Sequence, residues 1–205
     1  MRGTLDLVRK TWVEMFGLAS DDDDPRPPRP TPLVDRRGLA RARGEAIAVA
    51  FELSRGASVY DSSAGYDNTL RATLREFGCD VPRPPSADLI SRLADDIRII
   101  EVKARGGYGD VSETPERELD TMQAAGERSW LYAVYNVTQP GEYELWVVQD
   151  PGRRLTWTMT REAERPPTVA RGVRHEARHT ATWADVIEHG IRVDLSRVAD
   201  LPVKD

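Results

Sequence analysis

Trp130-Leu-Tyr-Ala-Val-Tyr-Asn-Val137 is the most apolar run in the chain. It is apolar at successive positions, not alternate ones, which is the pattern of a strand buried on both faces. A chain carrying such a strand must cover a sheet on two sides. Tyr143-Glu-Leu-Trp-Val-Val148 predicts the next strand, stopped by Asp150-Pro-Gly. Leu155 to Met159 alternates with threonines, as an edge strand does. Upstream, residues 38–54 predict a helix, with Leu39, Ile47, Val49, Ala50 and Leu53 apolar and Glu45 near its middle. Gly56 stops it, and Ala57-Ser-Val-Tyr-Asp61 predicts a short strand. Residues 66–77 carry Leu70, Leu74 and Phe77 at helical spacing before Gly78. Thr114-Pro-Glu-Arg-Glu118 predicts a helix start, with proline at the first helical position and acids in the first turn. Leu119, Met122 and Ala125 form its inward face. The order helix, strand, strand, strand, helix, strand, strand specifies an α/β (α+β) fold, a mixed central sheet flanked by helices.

Four segments follow from the pattern. Residues 1–20 hold an amphipathic helix, with Leu5, Val8, Trp12 and Phe16 at helical spacing over 4–17. Residues 21–33 are an acidic, proline-rich extended linker. Residues 34–160 are the core domain. Residues 161–205 are a basic segment followed by a capping box at Thr182-Trp-Ala-Asp185, a short helix to Gly190 and a strand from Ile191. A tethered amphipathic helix either folds back or docks on a protein partner, and residues 4–17 are the expected partner-binding element. No apolar stretch approaches the roughly 18 residues of a membrane span, and Arg9 and Lys10 interrupt any signal-peptide core. The lone Cys79 fits a reducing, cytoplasmic setting. A net charge of −5 argues against a free-standing nucleic-acid binder, and so counts against a nuclease.

Two short apolar runs carry the chemistry: Ser86-Ala-Asp-Leu-Ile-Ser91 and Ile97-Arg-Ile-Ile-Glu-Val-Lys103. In a strand, Glu101 and Lys103 point to the same face, and a hairpin brings Asp88 beside them. Buried apolar strands rarely carry a carboxylate and an ammonium together without a task. Two carboxylates form the oxygen set that a hard divalent ion takes. The alternative is an ion pair on a half-exposed strand. Upstream, Gly65-Tyr-Asp67 competes with Asp88 as the first acid. Asp88 is preferred, because Leu-Ile-Ser follows it and the next strand is a hairpin away.

Ala87-Asp-Leu-Ile-Ser, Ile100-Glu-Val-Lys-Ala-Arg, Gly109-Asp-Val, Arg117-Glu-Leu, Gly126-Glu-Arg-Ser-Trp-Leu-Tyr-Ala-Val-Tyr and Asp150-Pro occur in that order. In this the chain resembles the NO VEIN C-terminal domain, a branch of the restriction-endonuclease-like (PD-(D/E)xK) superfamily, over roughly residues 38–160. The signature is an acid, a gap, then acid-x-Lys. The family usually has Gly-Tyr-Asp or Gly-Phe-Asp where Ala87-Asp88 stands, and Lys-Gly where Lys103-Ala104 stands.

The resemblance implies a core of order αβββαβ and magnesium- or manganese-dependent hydrolysis of phosphodiesters, DNA before RNA, in a bacterial anti-phage or restriction-type system. It implies that Asp88 and Glu101 bind the metal and that Lys103 orients water or offsets phosphate charge. Glu45 would add a ligand or water contact, and Arg92 and Arg105 would hold phosphates. Glu118 matches a family position but reads as a surface acid in a helical first turn. The rival reading is a catalytically silent interaction or sensing module on the same fold. His175-Glu-Ala-Arg-His179 matches the zinc-protease pattern H-E-x-x-H. That pattern needs a helix in a cleft, and Arg171, Arg174 and Arg178 make this segment a basic exposed one instead. Trp130, Trp146 and Trp157 read as core.

Overall fold

Strand burial along β5, Ser129–Tyr135, follows directly from its sequence: Leu131, Tyr132, Ala133, Val134 and Tyr135 are all fully buried. The computed structural model describes residues 36–62, 68–79, 85–139, 141–161 and 177–195, all within one unit spanning Asp35–Asp205. The helix predicted over 4–17, the predicted linker, Asp67 and His175 lie outside the described residues.

The large sheet has six strands in the order β1-β2-β3-β5-β6-β9. They are β1 (Ser58–Asp61), β2 (Leu89–Leu93), β3 (Asp96–Ala104), β5, β6 (Glu144–Gln149) and β9 (Ile191–Arg192). Only β3 and β5 pair in parallel, with Glu101 beside Leu131 and Lys103 beside Ala133; the other neighbours are antiparallel. The fold is therefore the expected mixed sheet with flanking helices.

Helix α1 (Arg36–Ser54) covers one face. Its Ala40, Ile47 and Ala48 pack on Leu89, Ile100, Val102, Tyr132 and Val134. Gly44 makes the closest approach: a Cβ there would stand 2.4 Å from the Cβ of Ala104. The inward stripe is built from these small residues, and Leu53, expected inside, is 40 % exposed. The opposite face is covered by α2 (Asn68–Glu76), whose Leu70 and Leu74 pack on Ile90 and Ile99, and by α3 (Glu116–Ala125).

That face also carries a second, three-stranded sheet, β4-β8-β7, made of Val111–Pro115, Arg178–Ala181 and Thr158–Arg161. The predicted edge strand over 155–159 thus begins later and joins a different sheet. Leu155 instead ends a one-turn helix, α4 (Pro151–Arg154), and is buried. Pro115 was expected to open a helix but ends β4 with extended backbone (φ −62°, ψ 149°), and the helix begins at Glu116. Antiparallel pairing with β8 wins locally: the Glu116 N–H donates to Ala177 O at 3.1 Å. Thr182 caps α5 (Trp183–His189), its Oγ1 accepting the Asp185 N–H at 3.1 Å, while the Asp185 carboxylate accepts the Thr156 N–H and does not complete the box. Through β8 and β9, residues beyond 160 join both sheets.

Candidate active site

On β3 the alternation places Ile97, Ile99, Glu101 and Lys103 on the face covered by α2 and α3. The β5 neighbours of Glu101 and Lys103 are Leu131 and Ala133, which have no polar side-chain atom to offer. The partner comes from the third residue of α3. Lys103 Nζ donates to Glu101 Oε1 and to Glu118 Oε2, each at 2.6 Å. Glu118 is no surface acid: its side chain is 13 % exposed. Sequence missed it because acids in a helical first turn are usually solvent-facing partners of the helix dipole.

Asp88 sits at the entry to β2 and is buried. Its N–H donates to Ile100 O at 3.0 Å and its Oδ2 accepts the Val102 N–H at 2.8 Å. Its other oxygen accepts from Arg41 of α1 at 3.2 Å, and Arg41 Nε also donates to Glu45 at 2.6 Å. The close Gly44–Ala104 approach is what lets these α1 residues reach the β2–β3 hairpin. Asp88, Glu101, Lys103 and Glu45 therefore converge, together with Glu118 and Arg41.

The surroundings push these groups in defined directions. Burial raises Asp88 above the ordinary carboxyl range, opposed by the Val102 N–H and Lys103. Burial, then the neighbouring Asp88 and Glu118 carboxylates, hold Glu101 well above its usual 4.5. Burial alone would lower the Lys103 ammonium, but Glu101 and Glu118 outweigh it and hold it above its ordinary value. Arg41 is likewise raised, chiefly by its hydrogen bond to Glu45.

The donor set is all oxygen, on acids crowded enough to resist ionising together, and that fits a hard divalent cation. Here the protein's own cations serve as counterions, Lys103 between Glu101 and Glu118 and Arg41 between Asp88 and Glu45. Among the described residues, a tight three-ligand grouping occurs elsewhere, at Asp185, Glu188 and His189, with ligand atoms within 4.8 Å of one another. There Asp185 accepts the Thr156 N–H at 2.7 Å, so its carboxylate is already used to tie α5 to the segment before β7.

Arg105 extends the row beyond Lys103. Its N–H donates to Val134 O at 2.8 Å and its carbonyl accepts the Val137 N–H at 3.1 Å. Arg92 stands apart. It lies at the hairpin-turn end of β2, opposite Ile97, and donates to Thr73 at 3.1 Å and Glu76 at 3.5 Å on α2. His179 stands on strand β8 facing Thr114 of β4, not on the helix that a zinc-protease motif requires.

At the far end of the hairpin a second polar cluster has a structural task. The fully buried Glu52 accepts from Ser91 Oγ and Arg55 at 2.5 Å, from Arg98 at 3.3 Å and from the Tyr132 hydroxyl. Arg98 also covers the Trp130 ring at 4.1 Å.

Residues 58–148, which contain Asp88, Glu101, Lys103 and Glu118, match the family model described as Protein NO VEIN, C-terminal. Searches of curated proteins and of solved structures return no match. In the order of its motifs, its mixed sheet and this match, the segment 58–148 is similar to the NO VEIN C-terminal family.

Proposed function

We propose that the protein is a metal-dependent nuclease-type hydrolase acting on nucleic-acid phosphodiesters, DNA in the first instance, within a bacterial anti-phage or restriction-type system. One observation carries the reading: Asp88, Glu101 and Lys103 lie together with Glu118 at one end of a hairpin, in the order the acid-x-Lys signature requires. Asp88 and Glu101 would hold a magnesium or manganese ion, with Glu45 as a further oxygen contact. Such an ion supplies Lewis-acid polarisation of a phosphoryl oxygen and lowers the pKa of bound water.

The chain's own residues do the rest. Lys103, kept charged by two carboxylates, offsets the charge that accumulates on a phosphate and orients the attacking water. The Val102 N–H fixes Asp88, so one acid keeps its orientation while Glu101 gains or loses a proton. Arg105 lies along the same row and supplies a phosphate contact. Arg92 is tied to α2, so a phosphate role for it needs a substrate that reaches the other end of the hairpin.

The test is incubation with magnesium or manganese on single-stranded and duplex DNA. Wild type is expected to cleave and Glu101→Ala to lose cleavage. Equal cleavage by the variant would overturn the site. A second reading, a silent interaction module, draws support from the way Lys103 and Arg41 already neutralise the acids. Absence of cleavage on every substrate would favour it.

A further inference from the structure

Beyond Lys103 the chain turns through Gly106-Gly-Tyr-Gly109, and Tyr108 stands out there as a large aromatic side chain that is 56 % exposed. It is not loose. Its ring stacks on Tyr135 (centroids 5.9 Å apart, planes at 28°) and leans on Trp183 (5.2 Å, 40°). Its hydroxyl donates to Glu144 Oε1 at 2.9 Å. Glu144 is in turn held by Arg192 at 2.7 Å and Trp146 Nε1 at 3.1 Å. Tyr135 is fully buried and packs edge-on against Trp183 at 4.2 Å. The ring therefore has a rigid aromatic backing and an anchored tip. The backbone on either side of it is uncrowded: a Cβ built at Gly107 or Gly109 would meet nothing within 4 Å.

Position relates this ring to the acid cluster. Lys103 lies beside Ala133 on β5, and Tyr135 follows two residues on, on the same face, roughly 7 Å farther along the strand. Arg105 continues the β3 row at that level. A phosphate held at Lys103 and Arg105 would bring its neighbouring nucleoside to the outer face of Tyr108.

We propose that Tyr108, seated on Tyr135 and Trp183, is a stacking platform for one unpaired nucleobase of a strand whose phosphate lies at the Asp88–Glu101–Lys103 site. The inference rests on the reading of that site as one that takes nucleic acid, and it narrows the substrate to a strand with at least one unstacked base. Stacking needs only a π-face, so it tolerates any base. A pre-positioned ring with few rotamers left to lose is suited to it. The chain's acidic average is no obstacle, because the contact is aromatic and not a matter of bulk charge.

The test measures binding of a fluorescein-labelled single-stranded deoxyoligonucleotide of mixed sequence, with calcium in place of magnesium to suppress turnover. Full-length wild type, Tyr108→Ala, Tyr108→Phe and Tyr108→Trp are compared, with cleavage assayed separately in magnesium and manganese. Tyr108→Ala is expected to bind about tenfold more weakly, whereas Tyr108→Phe and Tyr108→Trp keep wild-type affinity. An oligonucleotide of the same length that is abasic throughout should reproduce the loss on wild type and cause none on Tyr108→Ala. Thermal unfolding of each variant separates this from misfolding. Wild-type affinity in Tyr108→Ala overturns the platform even if wild type cleaves, and so does failure of wild type to bind at all. A tenfold loss with no cleavage by any variant supports the platform and removes the nuclease reading instead.

Discussion

Asp88 brackets Glu101 across the hairpin: its N–H donates to Ile100 O at 3.0 Å and its carboxylate accepts the Val102 N–H at 2.8 Å, on either side of the second acid. Asp88 is thereby backbone pairing partner and candidate site acid at once. Its position cannot drift without breaking the end of the β2–β3 ladder.

This proximity has a pH signature. Glu101 binds its proton more tightly in the folded protein than at its ordinary 4.5. Between about pH 4.5 and the raised folded value, the folded state holds more protons than the unfolded one, so this group makes stability fall as pH rises. Glu101→Gln removes that slope. The Tm of the variant minus that of wild type should increase from about pH 5 to pH 8, as read by thermal denaturation in matched ionic strength. A difference that stays constant with pH would contradict the assignment.

Divalent ions should reverse the same penalty. Under the proposed function magnesium or manganese would take the ionised acids, so added ion is expected to raise the wild-type Tm more at pH 8 than at pH 5. At about one hundred times the Kd, linkage gives about 2.7 kcal/mol. Asp88→Asn should show little of this gain in differential scanning fluorimetry.

Lys103 is the counterion of two buried acids. Lys103→Met leaves both unpaired and is expected to cost about 3–5 kcal/mol in urea unfolding. Adding Glu118→Gln should recover part of that, since one of the stranded charges is gone. Additive losses in the double variant would refute the pairing.

The Gly44–Ala104 contact sets how closely α1 approaches β3. Gly44→Ala is expected to destabilise by about 1–3 kcal/mol through overpacking. Ala104→Gly, which removes the opposing methyl, should restore most of it. Lack of rescue would place the strain elsewhere.

Glu52 offers a contrast between stability and function. Glu52→Ala removes the acceptor shared by Arg98, Arg55, Ser91 and the Tyr132 hydroxyl, leaving Arg98 with Asp96 and Tyr132, and should cost about 3–5 kcal/mol. In the folded population, metal-induced stabilisation should be unchanged, because the cluster lies at the opposite end of the hairpin from Asp88.

Much of this was legible in the chain. The apolar run at 130–137 required a two-sided sheet, and the two-residue spacing of Glu101 and Lys103 placed both on one face. Arg92 was misleading because proximity in sequence to Asp88 hides the length of an extended strand: four residues on, it lies at the other end of β2. The small sheet had no local signal, since β4 pairs with β8 from far along the chain. Glu118 reads as a surface acid, and Arg41 is not singled out at all, for a related reason. Each sits on a helix where solvent exposure is the ordinary expectation; packing turns Glu118 inward and brings Arg41, still largely exposed, within reach of Asp88.

Sequence alone determined the strand that had to be buried, the paired acid and lysine, and the order of motifs, because these depend on periodicities of two and about 3.6 residues within short segments. Tertiary structure decided which carboxylate holds Lys103, which arginine faces Asp88, and that Tyr108 is braced by Tyr135 and Trp183. Those outcomes depend on how closely one element approaches another, here through a glycine on α1 and a crossing between β3 and β5. Local spacing carries no information about such distances.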